Sequence, residues 1–279
     1  MKYNKLCILL LALLLLLASI PVASAADKIS VDASTANDGY ITVKYVGGKN
    51  PGPKMKVVLQ KGTEKYTYDL DRTGVAEKFP TQMGNGEYTV QTFENVKADK
   101  FAMLGSQKFT VNLKDPNAPF LISTQYVEYE NKALTKTKAA ELSTAEDVLA
   151  KVEEIYGYIT SNISYDYDKA KTVRGDYLPN NDNTLTSQKG ICFDYSSLFA
   201  AMLRLNGIPT RLVIGYVNTG ASNEYHAWNE IFVPGQGWVA VAQLQLDGVS
   251  WARMDSTFGV PKRYDVINNN DNYQTKYIY

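Results

Sequence analysis

Three residues in the second half of the chain carry side chains that together can break a carboxamide: Cys192, His226 and Asp255. A thiolate attacks carbonyl carbon well, and imidazole is the side chain that moves protons near neutral pH. A carboxylate accepting from the second ring nitrogen holds that imidazole in one tautomer and orientation. Local sequence gives these residues plausible places. Gly190 allows a tight approach to a helix predicted to start beside Cys192, and a sulfur in a first helical turn lies near unpaired N–H groups and the positive end of the helix dipole. His226 opens a predicted strand and Asp255 ends the next strand but one, so neighbouring strands could present them side by side, with the thiol facing them from the helix. Each residue also has a plain structural reading: a packed thiol at a helix start, a histidine held in a strand, an aspartate in a turn.

The histidine is the only one in 279 residues, and Cys192 is one of two cysteines. The other, Cys7, falls in Met1–Ala25, which reads as a secretory signal peptide: Lys2 and Lys5 at the start, an apolar run from Leu6 to Ala18, and the small-residue exit Ala23-Ser24-Ala25. The run falls short of the roughly 18 apolar residues of a spanning helix. Cys7 stands at the start of the run, whereas a lipid-anchored cysteine stands at its exit. Export and cleavage would leave a single cysteine, unable to form an internal disulfide. The expected localisation is secreted, extracellular or at the cell surface, with no membrane contact once the signal is removed. Lys+Arg and Asp+Glu both number 29, so no global field draws nucleic acid or an anionic membrane. One histidine with one cysteine is thin for zinc, and no Walker loop or dinucleotide glycine fingerprint occurs, so neither metal nor cofactor is expected.

The elements that must position these residues divide the chain. From Lys28 to about Leu113 the residues alternate with the two-residue period of half-buried strands: Ile29–Val31, Tyr40–Val46, Met55–Gln60, Lys65–Leu70, Glu87–Phe93 and Lys108–Leu113. Six or seven such strands over residues 26–114 predict an all-β sandwich of immunoglobulin-like type. Asp115-Pro116-Asn117-Ala118-Pro119 opens a linker and lead-in segment over 115–140. In the remaining domain, 141–279, Ser143-Thr144-Ala145-Glu146 reads as a capping box, followed by Val148, Val152, Ile155 and Ile159 at helical spacing. A second helix from Cys192 carries Leu198, Phe199, Met202 and Leu203 on one face and stops at Asn206-Gly207 before Pro209. Strands are predicted at Arg211–Val217, His226–Val233, Trp238–Ala242 and Trp251–Asp255, with an edge strand at Tyr277–Tyr279. Helix first and antiparallel strands afterwards define an α+β domain.

The motifs around the three residues are more specific than their spacing. Gly190-Ile191-Cys192-Phe193-Asp194-Tyr195, continuing through Leu203-Arg204 to Gly207-Ile208-Pro209-Thr210-Arg211 and Gly215-Tyr216, resembles the cysteine segment of the bacterial transglutaminase-like superfamily. His226-Ala227-Trp228-Asn229-Glu230 resembles its histidine segment and Asp255-Ser256-Thr257-Phe258 its aspartate segment, with Ser256 where proline is more usual. The resemblance covers about Leu142 to Phe258, including Ile163-Ser164-Tyr165-Asp166. It implies a papain-like triad with Cys192 as nucleophile, His226 as general base and then acid, and Asp255 as its orienter. The stretch Gln243–Ser250, with Gln243, Gln245 and Asp247, is longer than the turn usual there and is a candidate border of the cleft.

Around this core, the backbone N–H of Cys192 is a natural oxyanion donor, with Tyr165 or Gln188 as candidates for a second. Asp194 favours the helix dipole, but would oppose a thiolate if it pointed at the sulfur; helix capping is its simpler role. Trp228, Trp238 and Trp251 are explained by packing, Trp228 also as a cleft wall. The reading is an exported thiol enzyme acting through an acyl-enzyme on protein or peptide substrates such as cell-wall peptides or surface proteins. Transfer to water makes it a peptidase or amidase, and transfer to an amine makes it a transglutaminase. The alternative is a noncatalytic surface binding or adhesion module on the same scaffold.

Overall fold

The computed structural model describes residues 28–47, 54–70, 72–235, 237–240, 242–244, 251–253, 256–259 and 270–279. Met1–Ala25 and Asp255 lie outside the described residues. Seven strands come first: β1 (Ile29–Asp32), β2 (Tyr40–Tyr45), β3 (Met55–Lys61), β4 (Glu64–Leu70), β5 (Ala76–Pro80), β6 (Gly86–Lys97) and β7 (Lys100–Val111). They form two antiparallel sheets, in the orders β1-β2-β5 and β4-β3-β6-β7. Alternation builds the shared core: Ile41 and Val43 of one sheet and Val57, Leu59, Tyr68 and Val90 of the other are buried in one cluster.

Three strands depart from the sequence expectation. β5 was not expected because Glu77 and Lys78 interrupt its apolar pattern. Glu77 nevertheless faces inward, 5% exposed, accepting from the Arg72 N–H at 3.0 Å and paired with the Arg72 side chain at 3.6 Å. The β6–β7 hairpin runs beyond Phe93, past Asn95↔Phe101 to Lys97↔Lys100. Its far end buries neither face, so the ladder continues where the hydrophobic alternation has stopped.

A 3-10 turn, Ala118–Phe120, begins the passage to the second half, and α1 (Ala133–Glu141) follows. Then come α2 (Val148–Asn162), β8 (Ser164–Tyr165), α3 (Tyr167–Thr172), α4 (Asn181–Ser187), β9 (Lys189–Gly190) and α5 (Cys192–Leu205). The expected capping box is replaced by another cap. Asp147, not Ser143, is the N-cap of α2, accepting from the N–H groups of Leu149 and Ala150 at 2.9 and 3.0 Å. A charged carboxylate is the stronger acceptor at the positive helix end, and it sits directly before the apolar stripe. Ser143 instead donates to the Ala140 carbonyl at the end of α1. The stripe itself packs as expected, with Val152, Ile155 and Ile159 fully buried against Tyr195, Leu198 and Phe199 of α5.

After α5 the chain forms β10 (Thr210–Asn218), β11 (Asn223–Val233), β12 (Gly237–Ala240), β13 (Ala242–Leu244), β14 (Trp251–Arg253), α6 (Ser256–Gly259) and β15 (Tyr273–Ile278). The main sheet has the order β12-β11-β10-β15. Of the strand predicted at Trp251–Asp255, the described part, Trp251–Arg253, pairs antiparallel with β13, apart from the main sheet. The fourth place in the main sheet belongs to β15, whose return as an edge strand matches the expectation at Tyr277 but begins earlier.

Helix α5 is the axis of this half. Its C-terminal end closes on Gly207, whose positive φ of 72° favours glycine, with Ile208 N–H returning to the Leu203 carbonyl. One turn earlier the buried Arg204 donates to three backbone carbonyls: Thr210 at 2.9 and 2.7 Å, Ile122 at 2.8 Å and Tyr279 at 3.0 Å. Burial lowers its pKa to about 10, so it remains a cation at neutral pH. An Arg204→Met substitution keeps much of the volume and strands those acceptors. It should cost on the order of 3 kcal/mol or more, read as a lowered urea midpoint with little change in slope.

Candidate active site

The approach to α5 is built around one carboxylate. Asp194, 0% exposed in the first turn, accepts from the Ile191 N–H at 2.8 Å and from Lys169 Nζ at 2.6 Å, and its other oxygen accepts from the Tyr177 hydroxyl. It therefore caps the helix and is engaged by a lysine. Gly190 is needed for space rather than for backbone freedom, because a Cβ there would lie 2.8 Å from Asp194 Cβ. The short parallel pair β8–β9 sets Tyr165 opposite Gly190, with Asp166 N–H bonded to the Gly190 carbonyl at 2.9 Å. Cys192 follows as the first residue of α5, a free and partly exposed thiol.

His226 stands in the middle of a strand rather than at its start, since β11 begins at Asn223. It pairs with Gly215 of β10 and is 5% exposed. Its ring stacks on Trp228, with centroids 6.4 Å apart at 19°. Trp228 is buried, edge-on to Tyr273 at 5.1 Å, and packed so closely on β10 that a Cβ at Gly215 would meet Trp228 Cη2 at 2.9 Å and the Gln274 carbonyl oxygen at 2.0 Å. It backs the histidine from the core and is absent from the cavity wall. Asn229, one position further, donates to the Ser196 carbonyl of α5 at 3.0 Å and to Arg211 O at 3.1 Å, tying the histidine strand to the cysteine helix.

Cys192 and His226 open onto the same cavity, of about 430 Å³. Of the two candidates for a second oxyanion donor, Tyr165 lines this cavity. Gln188 does not: it is an exposed left-handed C-cap of α4 whose carbonyl accepts from Ser164. Asp255 and the side chains of Trp238, Gln243 and Trp251 lie outside the described residues. Among the described residues, no group of three His, Cys, Asp or Glu is placed to hold a metal ion.

The cavity walls are largely aromatic, and most of these residues carry no sequence motif. Tyr126 comes from the passage between the halves, Tyr177 from the loop after α3, Tyr225 from β11, and Tyr277 and Tyr279 from the end of the chain. Tyr279 packs on Tyr126 at 4.4 Å and on Tyr66 of β4 at 5.5 Å, and Tyr126 lies 5.8 Å from both Tyr68 and Phe193. The Tyr66 hydroxyl accepts from the Ile278 N–H at 3.3 Å. The N-terminal sheets thus help to support one wall of the cavity.

Residues 136–242 match the profile of the transglutaminase-like superfamily. The uncharacterized protein YebA of Bacillus subtilis is 26% identical over 227 residues, 72% of this chain and 28% of its own length. The UPF0252 protein MJ1282 of Methanocaldococcus jannaschii is 32% identical over 105 residues, 34% of this chain and 30% of its own length. The chain therefore spans less than a third of either relative. Among solved structures, a candidate cysteine protease from Cytophaga hutchinsonii is 21% identical over 60% of this chain and 48% of its own, with a TM-score of 0.43. Red sea bream transglutaminase is 12% identical over 85% and 56%, with a TM-score of 0.34.

Burial raises the pKa of several of these phenols above the usual 10.0: Tyr66 to about 12, and Tyr68 and Tyr279 well upward. For Tyr177, burial acts first and its hydrogen bond to Asp194 second. A phenol whose pKa is raised on folding contributes stability that is fully present below pH 10 and is lost as pH rises through 10 toward the folded value. Titration followed by tyrosinate absorbance should show exposed phenols ionising near pH 10, with the cluster ionising above that in step with loss of near-UV circular dichroism. Early ionisation of every tyrosine in a protein still folded would contradict this burial.

Proposed function

From a transglutaminase-like superfamily domain at residues 136–242, we propose that this chain is an exported thiol enzyme acting on carboxamide or peptide bonds through Cys192, His226 and Asp255. The observation that carries this reading is that Cys192, in the first turn of α5, and His226, on β11, line one cavity. In this mechanism His226 takes the thiol proton and the sulfur adds to the substrate carbonyl carbon. The resulting oxyanion is met by the Cys192 backbone N–H and the Tyr165 phenol. The imidazolium then protonates the departing amine as the C–N bond breaks, leaving a thioester. Water, deprotonated by the same imidazole, releases an acid; a lysine amine instead forms a new amide. Asp255 takes the second ring N–H and holds the ring in place.

Protein or peptide substrates fit this chemistry, and cell-wall peptides or surface proteins fit the export implied by Met1–Ala25. The N-terminal sheets are read as an immunoglobulin-like sandwich. Support comes from their three- and four-stranded orders and from Tyr88 near the start of β6, whose hydroxyl donates back to the Gly84 and Thr81 carbonyls at 2.9 and 3.0 Å.

Alkylation tests the nucleophile without a known substrate. Iodoacetamide should label Cys192 rapidly near neutral pH, and His226→Ala should slow labelling by roughly 10²-fold; slow labelling that ignores His226 would sink the assignment. For the acceptor, a glutamine-bearing peptide is incubated with a labelled amine and followed by mass. Stable amine adducts identify transfer, whereas cleavage or deamidation without adducts identifies hydrolysis.

A further inference from the structure

The cavity beside Cys192 has an apolar interior and cations close by. Val173, Phe193, Ile214, Tyr225 and Tyr277 give it apolar and aromatic surface, and its volume of about 430 Å³ is enough for one large side chain with part of its backbone. No carboxylate lines it among the described residues. Asp194, next but one to the cysteine, is buried and turned into its own ion pair with the partly exposed Lys169. A substrate ammonium entering this space would lose hydration with no carboxylate among the described lining residues to replace it.

One cation lines the cavity and a second lies near two of its rings. Arg174, whose side chain is 80% exposed, lines it from the segment after α3. Lys276, on β15, holds its Nζ 5.5 Å from the Tyr277 ring centre and 5.9 Å from that of Tyr225. Both rings line the cavity. The carboxylate paired with Arg174 is that of Asp176, at 3.4 Å, and Asp176 also meets Lys54 at 3.8 Å. These are exposed pairs, worth little and open to exchange with an incoming anion. Lys276 has no carboxylate partner among the described residues.

We propose that this cleft selects peptides that place an apolar, preferably aromatic, side chain next to the reacting carbonyl and a carboxylate beyond it, with Arg174 and Lys276 setting the charge preference. The inference rests on the reading of Cys192 as the nucleophile and names what that nucleophile receives. The aromatic walls take the side chain, and the two cations attract the acidic group over a range that salt screens. Basic peptides meet repulsion from the cations and find no carboxylate among the described lining residues.

The test uses the full chain and a set of peptidyl acyloxymethyl ketones, in which the Cys192 thiolate displaces the carboxylate leaving group and forms a thioether. The residue beside the ketone is Phe, Ala or Lys, and the residue beyond it is Glu or Lys. Every rate is divided by the same protein's iodoacetamide rate, so that differences in thiol reactivity cancel. The Phe probe with Glu should inactivate at least tenfold faster than the Phe probe with Lys at low salt, and the gap should narrow in high salt. Phe should also outpace Ala and Lys beside the ketone. The double variant R174E/K276E should abolish or reverse the Glu preference, its fold being checked by its melting temperature. Equal normalised rates for acidic and basic probes, or a preference unchanged in the double variant, would overturn the inference while rapid His226-dependent iodoacetamide labelling left the nucleophile assignment standing. Slow, His226-independent labelling would remove both.

Discussion

Helix α5 is buried from Asp194 to Arg204, and a helix enclosed over that length must satisfy its polar groups from within the protein. Most of the second half follows from that demand. At one end Asp194 gathers Ile191, Lys169 and Tyr177, which brings the segment around α3 against the helix start and leaves Cys192 at the edge of the packed interior. At the other, Arg204 collects carbonyls from Ile122, Thr210 and Tyr279, so the passage between the halves, the first strand of the main sheet and the end of the chain meet at one guanidinium. The thiol is placed by a helix that is held at both ends.

The histidine is placed through the same helix. Asn229 ties β11 to the Ser196 carbonyl, and the close fit of Trp228 against Gly215 leaves little freedom in how β10, β11 and β15 stack behind the imidazole. The N-terminal sheets enter through Tyr66 and Tyr68, whose rings pack on Tyr126 and Tyr279. One aromatic layer is therefore shared by a core with no catalytic motif and a cavity that contains the candidate nucleophile.

Legibility from sequence followed the locality of the signal. Cys192 at a helix start and the apolar face of α5 were readable because an N-terminal glycine, an apolar stripe and Asn206-Gly207 lie within a few turns of one another. The six alternating strands were readable for the same reason. β5 was hidden because its inward Glu77 is balanced by Arg72, a tertiary compensation that periodicity cannot register. Ser143 and Glu146 formed a valid local motif that lost to the carboxylate of Asp147, nearer the apolar stripe. Lys169, Tyr177 and Asn229 act through partners elsewhere in the chain, and the tyrosines of the cavity wall converge from five separate segments; no spacing rule joins them. The motif resemblance had already marked Asn229 as part of a segment, though not as the tie between strand and helix.

The hydrogen bond between the Tyr66 hydroxyl and the Ile278 N–H spans 212 positions of sequence. Contacts of that separation carry a larger loop-closure cost than those within local helices and hairpins. The helix bearing Cys192 and the β10–β11 hairpin bearing His226 are built from neighbouring sequence, whereas the wall at Tyr277 and Tyr279 lies at the end of a strand that pairs with β10 and packs on Tyr66 of the N-terminal sheets. The candidate reactive pair thus draws on one local stretch of sequence, whereas the wall that shapes what reaches it joins segments from both halves of the chain.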